Sequence, residues 1–448
     1  METQQGQFYL FGQRRFLPFF ITQFLGALND NLFKNALLVI IVSSGISTSA
    51  SNTNFLTNLA AGLFILPYFL FSTTAGQLAD KYDKAWLIRR IKFAEILIML
   101  VGGYALYTSN VMLMMSILFL LGVQSAFFGP IKYSIIPQHL SPKELMAGNA
   151  QVGMGTFVSI LIGTLMGAWL VSYQSGALLV AAVAVLFALG GWWASFAIPD
   201  APADKGDIHI GLNPLSDAIR NISLARENPT VFFCIMAISW FWLFGGSFLT
   251  QVPNFAVTVL YGHPALISVL LGAFIIGVAI GSVLCAKVSG EQVEPGLIPF
   301  GAIGLSLFSA DLYFASGSYQ LANNGIENIV PLTFFGLSGG IRVFVDLVFI
   351  GMFGGIFIVP LYAMVQSRSA SNKRARIIAA NNVFNAIFMV AGAILGIVCL
   401  SLIQMSIPQF FALISAANAG FLIFLIWQVP EFKLRFLAWI TNNRDKQH

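Results

Sequence analysis

The chain has 448 residues, 57% of them hydrophobic and only 9% Asp, Glu, Lys or Arg. A soluble domain carries nearer a quarter charged residues, so the composition excludes a water-soluble protein, and a mean hydropathy of +0.82 points to a chain that crosses a membrane many times. The pI near 9.1 does not argue for nucleic acid, because the basic residues flank the apolar stretches rather than forming a patch of their own.

Taken in order, stretches long enough to span a bilayer predict twelve transmembrane helices. They lie at roughly 17–43, 55–78, 91–109, 111–129, 147–172, 176–198, 231–260, 266–288, 297–316, 342–366, 377–404 and 407–429. The first carries Asn29, Asp30, Asn31, Lys34 and Asn35 near its centre. A charge at mid-bilayer costs roughly 2.5–3.5 kcal/mol on insertion scales, so these residues need a reason to be there. At about 100° per residue, Gln23, Asp30 and Lys34 share a narrow arc, Asn31 and Asn35 sit beside it, and Asn29 and Thr22 fall outside it. Asp30 and Lys34 are spaced i,i+4 and can pair along the helix. The apolar face should meet lipid, and the polar face other helices or a wet cavity.

The basic residues test this drawing. All but two of the 23 Lys and Arg residues fall in the tails and in the loops on the amino-terminal side of the membrane; the exceptions are Lys34 and Arg342. The positive-inside rule then places both termini in the cytoplasm. The expected organisation is a cytoplasmic segment 1–16, a six-helix half 17–198, a linker 199–230, a second six-helix half 231–429 and a tail 430–448. Two six-span halves joined by a cytoplasmic linker is the plan of a secondary transporter. In the linker, Leu215, Ile219 and Ile222 would form one side of a short surface helix. The tail starts as PEFKLRFLAWI, basic, aromatic and amphipathic, which suits a membrane surface. The outer segment 317–341 is long and mixed, with interfacial character.

After the second span comes Gly76-Gln77-Leu78-Ala79-Asp80-Lys81-Tyr82-Asp83-Lys84. It resembles the loop motif of the major facilitator superfamily, G-x-L-A-D-[RK]-x-G-[RK]. The resemblance implies an all-α membrane protein with twelve transmembrane helices in two six-helix halves, in which Gly76 allows close helix approach and Asp80 and Lys84 secure the inner gate. The chain departs from the motif at Asp83, where the superfamily has Gly. Three further stretches, QFLGALNDNLFKNAL, AGQLADKYDKAWLIRRIKFAE and FFGPIKYSIIPQHLSPKELMAGNAQVGMGTF, resemble the bacterial lysophospholipid transporter branch. ISWFWLFGGSFLTQVPNFA and the PEFKLRFLAW tail are similar to the version fused to an acyltransferase and an acyl-acyl-carrier-protein synthetase. The resemblance covers essentially the whole chain. It implies a monomeric transporter of the bacterial inner membrane that moves lysophosphatidylethanolamine and lysophosphatidylglycerol from the outer to the inner leaflet for reacylation, in some contexts by a cytoplasmic acyltransferase partner.

The residues are compatible with that substrate. A lysophospholipid phosphate wants a cation or amide donors. Lys34 is the only cation of the first span, and Lys132 matches the family's G-P-x-K-Y just past the expected end of span four, where Gly129-Pro130 should break the helix. Asp30 would balance Lys34 or take an ammonium. With Asn31 and Asn35 these line the expected headgroup path, and Asn381 and Asn385 of span eleven would face them from the second half. The plainer alternatives are an Asp30–Lys34 pair that only holds span one in place, Lys132 as a positive-inside anchor, and the asparagines as interhelical hydrogen-bonding groups. Glu95 and Asp311 are acids in apolar surroundings and candidate proton-coupling sites. Glu95 is expected to pair with Lys92, Asp311 has no basic neighbour in sequence, and Arg342 is expected to pair with Asp346.

Cys234, Cys285 and Cys399 lack CxxC spacing, and the four histidines are scattered. No metal site, disulfide, cofactor, signal peptide or catalytic residue is expected. Two other readings remain open: a proton-coupled exporter of amphipathic compounds using Asp30, Glu95 or Asp311, and a non-transporting membrane platform that docks an acyltransferase through its linker and tail.

Overall fold

The computed structural model describes residues 7–43, 50–203, 210–211, 213–290 and 292–441. Among the described residues the fold is helical, the sole strand-like feature being one bridge between Gly262 and Ile329. The helices are α1 (Leu17–Ser43), α2 (Ala50–Lys81), α3 (Lys84–Tyr107), α4 (Val111–His139), α5 (Leu145–Val171), α6 (Gly176–Ser195), α7 (Pro214–Arg226), α8 (Pro229–Asn254), α9 (Ala265–Val288), α10 (Leu297–Ala322), α11 (Pro331–Gly336), α12 (Gly340–Arg368), α13 (Arg374–Gly396), α14 (Ile407–Gln428) and α15 (Pro430–Ile440).

Eleven of them are long and apolar enough to cross a membrane. The twelfth span is α3, whose 24 residues carry Arg89, Arg90, Lys92 and Glu95. Its charges hide it from a hydropathy criterion, yet Lys92 and Glu95 are buried against each other. The fold is thus the twelve-helix arrangement expected. One local expectation fails. Helix α4 does not break at Gly129-Pro130 but runs through Pro130 and Pro137 to His139. Proline is tolerated inside a membrane helix because neighbouring groups take up the freed carbonyl. Lys132 is therefore a buried residue within α4. In the outer segment, α10 continues to Ala322, and α11 follows with Phe334 buried.

The chain divides into two compact units. Unit 1 comprises residues 1–142, 158–228 and 366–386; unit 2 comprises 143–157, 229–365 and 387–448. In unit 1, α2 packs on α4, α3 on α6 and α1 on α6. Leu32, Phe33 and Leu37 of α1 share a core with Met99, Leu118 and Val180. Helix α5 approaches α1 through two glycines: a Cβ at Gly163 would lie 3.0 Å from Asn31 Cβ, and one at Gly167 would lie 3.1 Å from Ala36 N. Small residues at such crossings let helix backbones come together in lipid. Helix α7 lies against α2 with Ala218, Asn221 and Ala225 buried, while Leu215 and Ile219 are exposed.

In unit 2, α10 packs on α14. Trp240 of α8 stacks on Phe421 at 4.7 Å and donates its indole N–H to Asn418 Oδ1 at 2.8 Å. Helix α15 is held by Phe432, which is fully buried, and by Arg435, which pairs with Glu294 at 2.9 Å. Its remaining apolar face, Leu434, Leu437 and Ile440, is exposed.

Candidate functional site

The polar residues of α1 open into a network that reaches α3 and α4 within unit 1. Glu95 is its hub. Its carboxylate accepts from Lys92 Nζ at 2.6 Å, from Asn29 Nδ2 at 3.0 Å and from Gln124 Nε2 at 2.9 Å. Lys92 and Glu95 are each 1% exposed. The Lys92 ammonium also lies 4.9 Å from the centroid of the Phe128 ring, a cation–π distance. Gly26 of α1 makes the room, since a Cβ there would collide with Lys92 Nζ. Ser125 continues the chain of contacts: its hydroxyl lies 3.2 Å from Gln124 Oε1 and donates to Asp30 Oδ2 at 2.5 Å.

Asp30 and Lys34 do not form the direct ion pair that their spacing allows. Lys34 Nζ instead donates to Asn31 Oδ1 at 2.9 Å and sits 5.6 Å from the Phe64 ring centroid. Asp30 takes Ser125, and its Oδ1 is buried with no hydrogen-bond partner among the described residues. Asn31 and Asn35 are held in place: Asn31 donates to Ala27 O at 2.8 Å, and Asn35 donates to Thr164 Oγ1 at 3.1 Å. Lys132 follows Gln124 and Phe128 at four-residue spacing on α4, so all three lie on one side of that helix; its Nζ is 5.3 Å from the Tyr133 ring centroid. The cluster thus gathers the ammonium groups of Lys34, Lys92 and Lys132 with the carboxylates of Asp30 and Glu95.

At the basic end of α2, Asp80 is 2% exposed and caps α13. It accepts from the backbone N–H of Ala375 at 3.0 Å and of Arg376 at 3.3 Å, and from Arg376 Nε at 3.0 Å. A carboxylate on a helix N-terminus is favoured by the dipole and by the unpaired N–H groups there. Gly76, one turn earlier, abuts α13 directly; a Cβ would lie 2.6 Å from Ala379 Cβ. Lys84 is buried at the start of α3, where its backbone N–H bonds Ala201 O at 3.0 Å. The ion-pair partner of Asp80 is Arg376. Asp83, in place of the motif's Gly, has φ −57° and needs no left-handed conformation. Its Oδ1 caps α3 at Trp86 N and its Oδ2 accepts from Ala201 N, both at 2.7 Å.

Of the remaining candidates, Asn381 and Asn385 lie on the part of α13 that belongs to unit 1, and both side-chain polar atoms of Asn381 are buried without a partner among the described residues. Asp311 belongs to unit 2 and is not a lone acid. Arg342 grips it bidentately, Nη2 to Oδ1 at 2.5 Å and Nε to Oδ2 at 3.0 Å. The expected Arg342–Asp346 helix-end pair gives way to this contact because the guanidinium fork reaches both oxygens of Asp311 at once. Asp346 stays buried at 2% exposure.

A family model described as Major Facilitator Superfamily matches residues 19–345. The chain belongs to the major facilitator superfamily. Curated relatives in the superfamily include the lysophospholipid transporter LplT of Enterobacter sp. (strain 638), 25% identical over 350 residues, covering 77% of this chain and 78% of the relative. The protein of the same name from Klebsiella pneumoniae subsp. pneumoniae is 24% identical, covering 76% and 82%. Among solved structures, the fucose:proton symporter of E. coli superposes with a TM-score of 0.68 at 13% identity, covering 93% of this chain and 99% of that one. A bacterial homologue of the iron transporter ferroportin in an outward-facing state gives 0.63 at 12% identity, covering 94% and 99%. At these identities the two structures speak for the superfamily fold alone.

The expected Lys92–Glu95 pair is present. Sequence reasoning missed three members of these constellations: Asn29 reads as lying off the polar arc, Ser125 as an unremarked hydroxyl and Arg376 as one more positive-inside residue. Asn29 is off the α1 arc because it faces a second polar partner, Glu95 of α3. The usable signal for Arg376 was an arginine in the first turn of a helix whose partner motif supplies a buried aspartate. If that contact is a latch, Asp80→Asn should loosen it. With Thr73→Cys as a buried reporter on the same face of α2, thiol alkylation in membranes should accelerate about tenfold or more on adding Asp80→Asn, the equivalent of one lost charge-assisted hydrogen bond. An unchanged rate would show that the pair holds nothing closed.

Proposed function

We propose that the protein is a lysophospholipid transporter that moves its substrate between the leaflets of the bacterial inner membrane by alternating access. The reading rests on one observation above the others: Asp30 and Lys34, one helical turn apart at the middle of α1, are each held by a neutral partner instead of by each other. An ion pair that served only to fix α1 would be closed on itself. Here an ammonium and a carboxylate with an unbonded oxygen are set side by side in a bilayer-spanning segment, where ionisable groups mark substrate paths. A phosphoethanolamine headgroup carries the complementary pair, its phosphate for Lys34 and its ammonium for Asp30. With three lysines against two carboxylates, the cluster also accommodates a phosphate without a compensating cation, as in a phosphoglycerol head. The names of the curated relatives support the same substrate class.

In this reading Asn31, Asn35 and Lys132 line the headgroup path with Asn381 and Asn385. Substrate travels from the outer to the inner leaflet and is passed on for reacylation by a separate enzyme, the protein itself doing no covalent chemistry. Both termini face the cytoplasm. The deciding experiment places the purified protein in liposomes with fluorescent lysophosphatidylethanolamine in the outer leaflet and follows loss of quencher-accessible signal. Protein-dependent loss without an ion gradient is expected. Loss only with a proton gradient would move attention to Asp30, Glu95 and the Asp311–Arg342 pair. No loss from folded protein under either condition would overturn the substrate assignment.

A further inference from the structure

At the basic end of unit 1 an open cleft of about 620 Å³ is lined by Arg14, Arg15, Arg89, Phe196 and Asp200. It shares no residue with the α1–α3–α4 network. Two of its guanidiniums are fixed in place. Arg15 donates to His139 O at 3.0 Å and to Tyr9 Oη at 3.4 Å. Arg89 donates to Ile198 O at 3.2 Å, and its Nη2 lies 3.8 Å from Asp200 Oδ1. Arg14 is exposed beside them. Among the described residues that line the cleft, three guanidiniums stand with one carboxylate, whose side chain is 86% exposed and only loosely engaged. Gathering like charges in this way is unfavourable unless an anion joins them, and the planar fork of arginine matches phosphate.

The surroundings indicate what carries the phosphate. Arg89 Cζ lies 5.9 Å from the Phe196 ring centroid. Phe196 packs on Trp192 at 5.0 Å, and Trp192 on Phe93 at 5.9 Å. Phe93 and Phe196 are about half exposed and Trp193 is 77% exposed. An aromatic strip therefore leads from the cleft along the outer face of α3 and α6, two bilayer-spanning helices. Basic pockets between transmembrane helices on the positively charged side of a protein are sites for anionic headgroups. A free phosphate would have no use for the strip; acyl chains would.

We propose that this cleft binds the phosphate of an anionic membrane phospholipid, with the lipid's chains lying on the Phe93–Trp192–Phe196 strip. The bound lipid ties the N-terminal segment to α3 and to the end of α6, and it is a resident of the surrounding leaflet, not the transported molecule. The test uses the full-length protein in detergent, titrated with dioleoylphosphatidylglycerol, with retained lipid counted by native mass spectrometry. Retention should weaken about tenfold in Arg89→Gln, the loss of one charge-assisted contact. Because Arg89 also braces the α6 end, Arg14→Glu serves as a second variant at an exposed position, with the same expected loss. Lys34→Ala should retain lipid like the parent, whether or not it transports. Undiminished retention in both arginine variants would overturn the proposal, as would equal loss in Lys34→Ala. Displacement of the lipid by an equal concentration of inorganic phosphate would assign the cleft to a free anion and overturn the lipid source.

Discussion

Replacing Glu95 with alanine should destabilise the protein by about 3–5 kcal/mol, the cost of leaving a buried charge without its partner. Glu95 is the one acceptor for Lys92, Asn29 and Gln124 together. Its removal orphans two amide groups as well as an ammonium that is 1% exposed. The measurement is equilibrium unfolding in detergent micelles, and a loss below about 1 kcal/mol would mean that Lys92 finds water or another acceptor. The informative companion is the double variant Lys92→Met with Glu95→Leu. Removing both members of a buried ion pair is often close to neutral, so most of the stability should return, less a contribution for Asn29 and Gln124. Transport by that double variant then separates two roles. A pair that only joins α3 to its neighbours leaves lysolipid movement intact once folding is restored. A coupling carboxylate leaves a folded protein that no longer responds to a proton gradient.

Lys34→Ala should behave in the opposite way, losing transport while keeping the fold. Lys34 is partly exposed and donates to a neutral amide oxygen, so its removal breaks no direct ion pair; Asp30 is already held by Ser125. Stability should change by no more than about 1 kcal/mol. A headgroup phosphate, by contrast, loses a charge-assisted hydrogen bond worth about 1.5–3 kcal/mol, or roughly ten- to a hundredfold in uptake efficiency. Lys34→Arg keeps the charge and should recover part of the rate. Initial rates of fluorescent lysophosphatidylethanolamine movement in proteoliposomes, at matched protein incorporation, decide the matter. Normal uptake by Lys34→Ala would remove this residue from the headgroup path and with it the main support for the substrate reading.

Much of the architecture was legible because the bilayer imposes one length and one polarity on each span. The alternation of basic loops then fixed the count even across α3, whose own composition is too charged for a hydropathy window. The places where reading failed share a cause: they depend on contacts between helices, which spacing along one helix does not report. Within α1, i,i+4 spacing allows an Asp30–Lys34 pair, but Ser125 from α4 offers Asp30 a closer partner. Within α12, the same spacing predicts Arg342–Asp346, but α10 brings Asp311 within reach of both arms of the guanidinium. Gly129-Pro130 reads as a helix end by local rules, yet α4 continues because the helices around it absorb the defect. The Lys92–Glu95 pair was legible from its i,i+3 spacing, but Asn29 was set aside for its position on the wheel and proves to be a second ligand of Glu95.

The contact between α2 and α13 has a further consequence for how fast the basic end of unit 1 can part. Gly76 brings the two backbones together, and several polar groups of α2 and α13 are poorly served. Ser72 Oγ, Thr73 Oγ1, Gln77 Nε2 and both side-chain polar atoms of Asn381 are buried without partners among the described residues. Each such group costs about 1–3 kcal/mol relative to one that is hydrogen-bonded, and each would be solvated on separation. The seam is close-fitting, and parting it would release Arg376 and the α13 N-terminus from Asp80. Opening kinetics should therefore respond to any perturbation of that carboxylate.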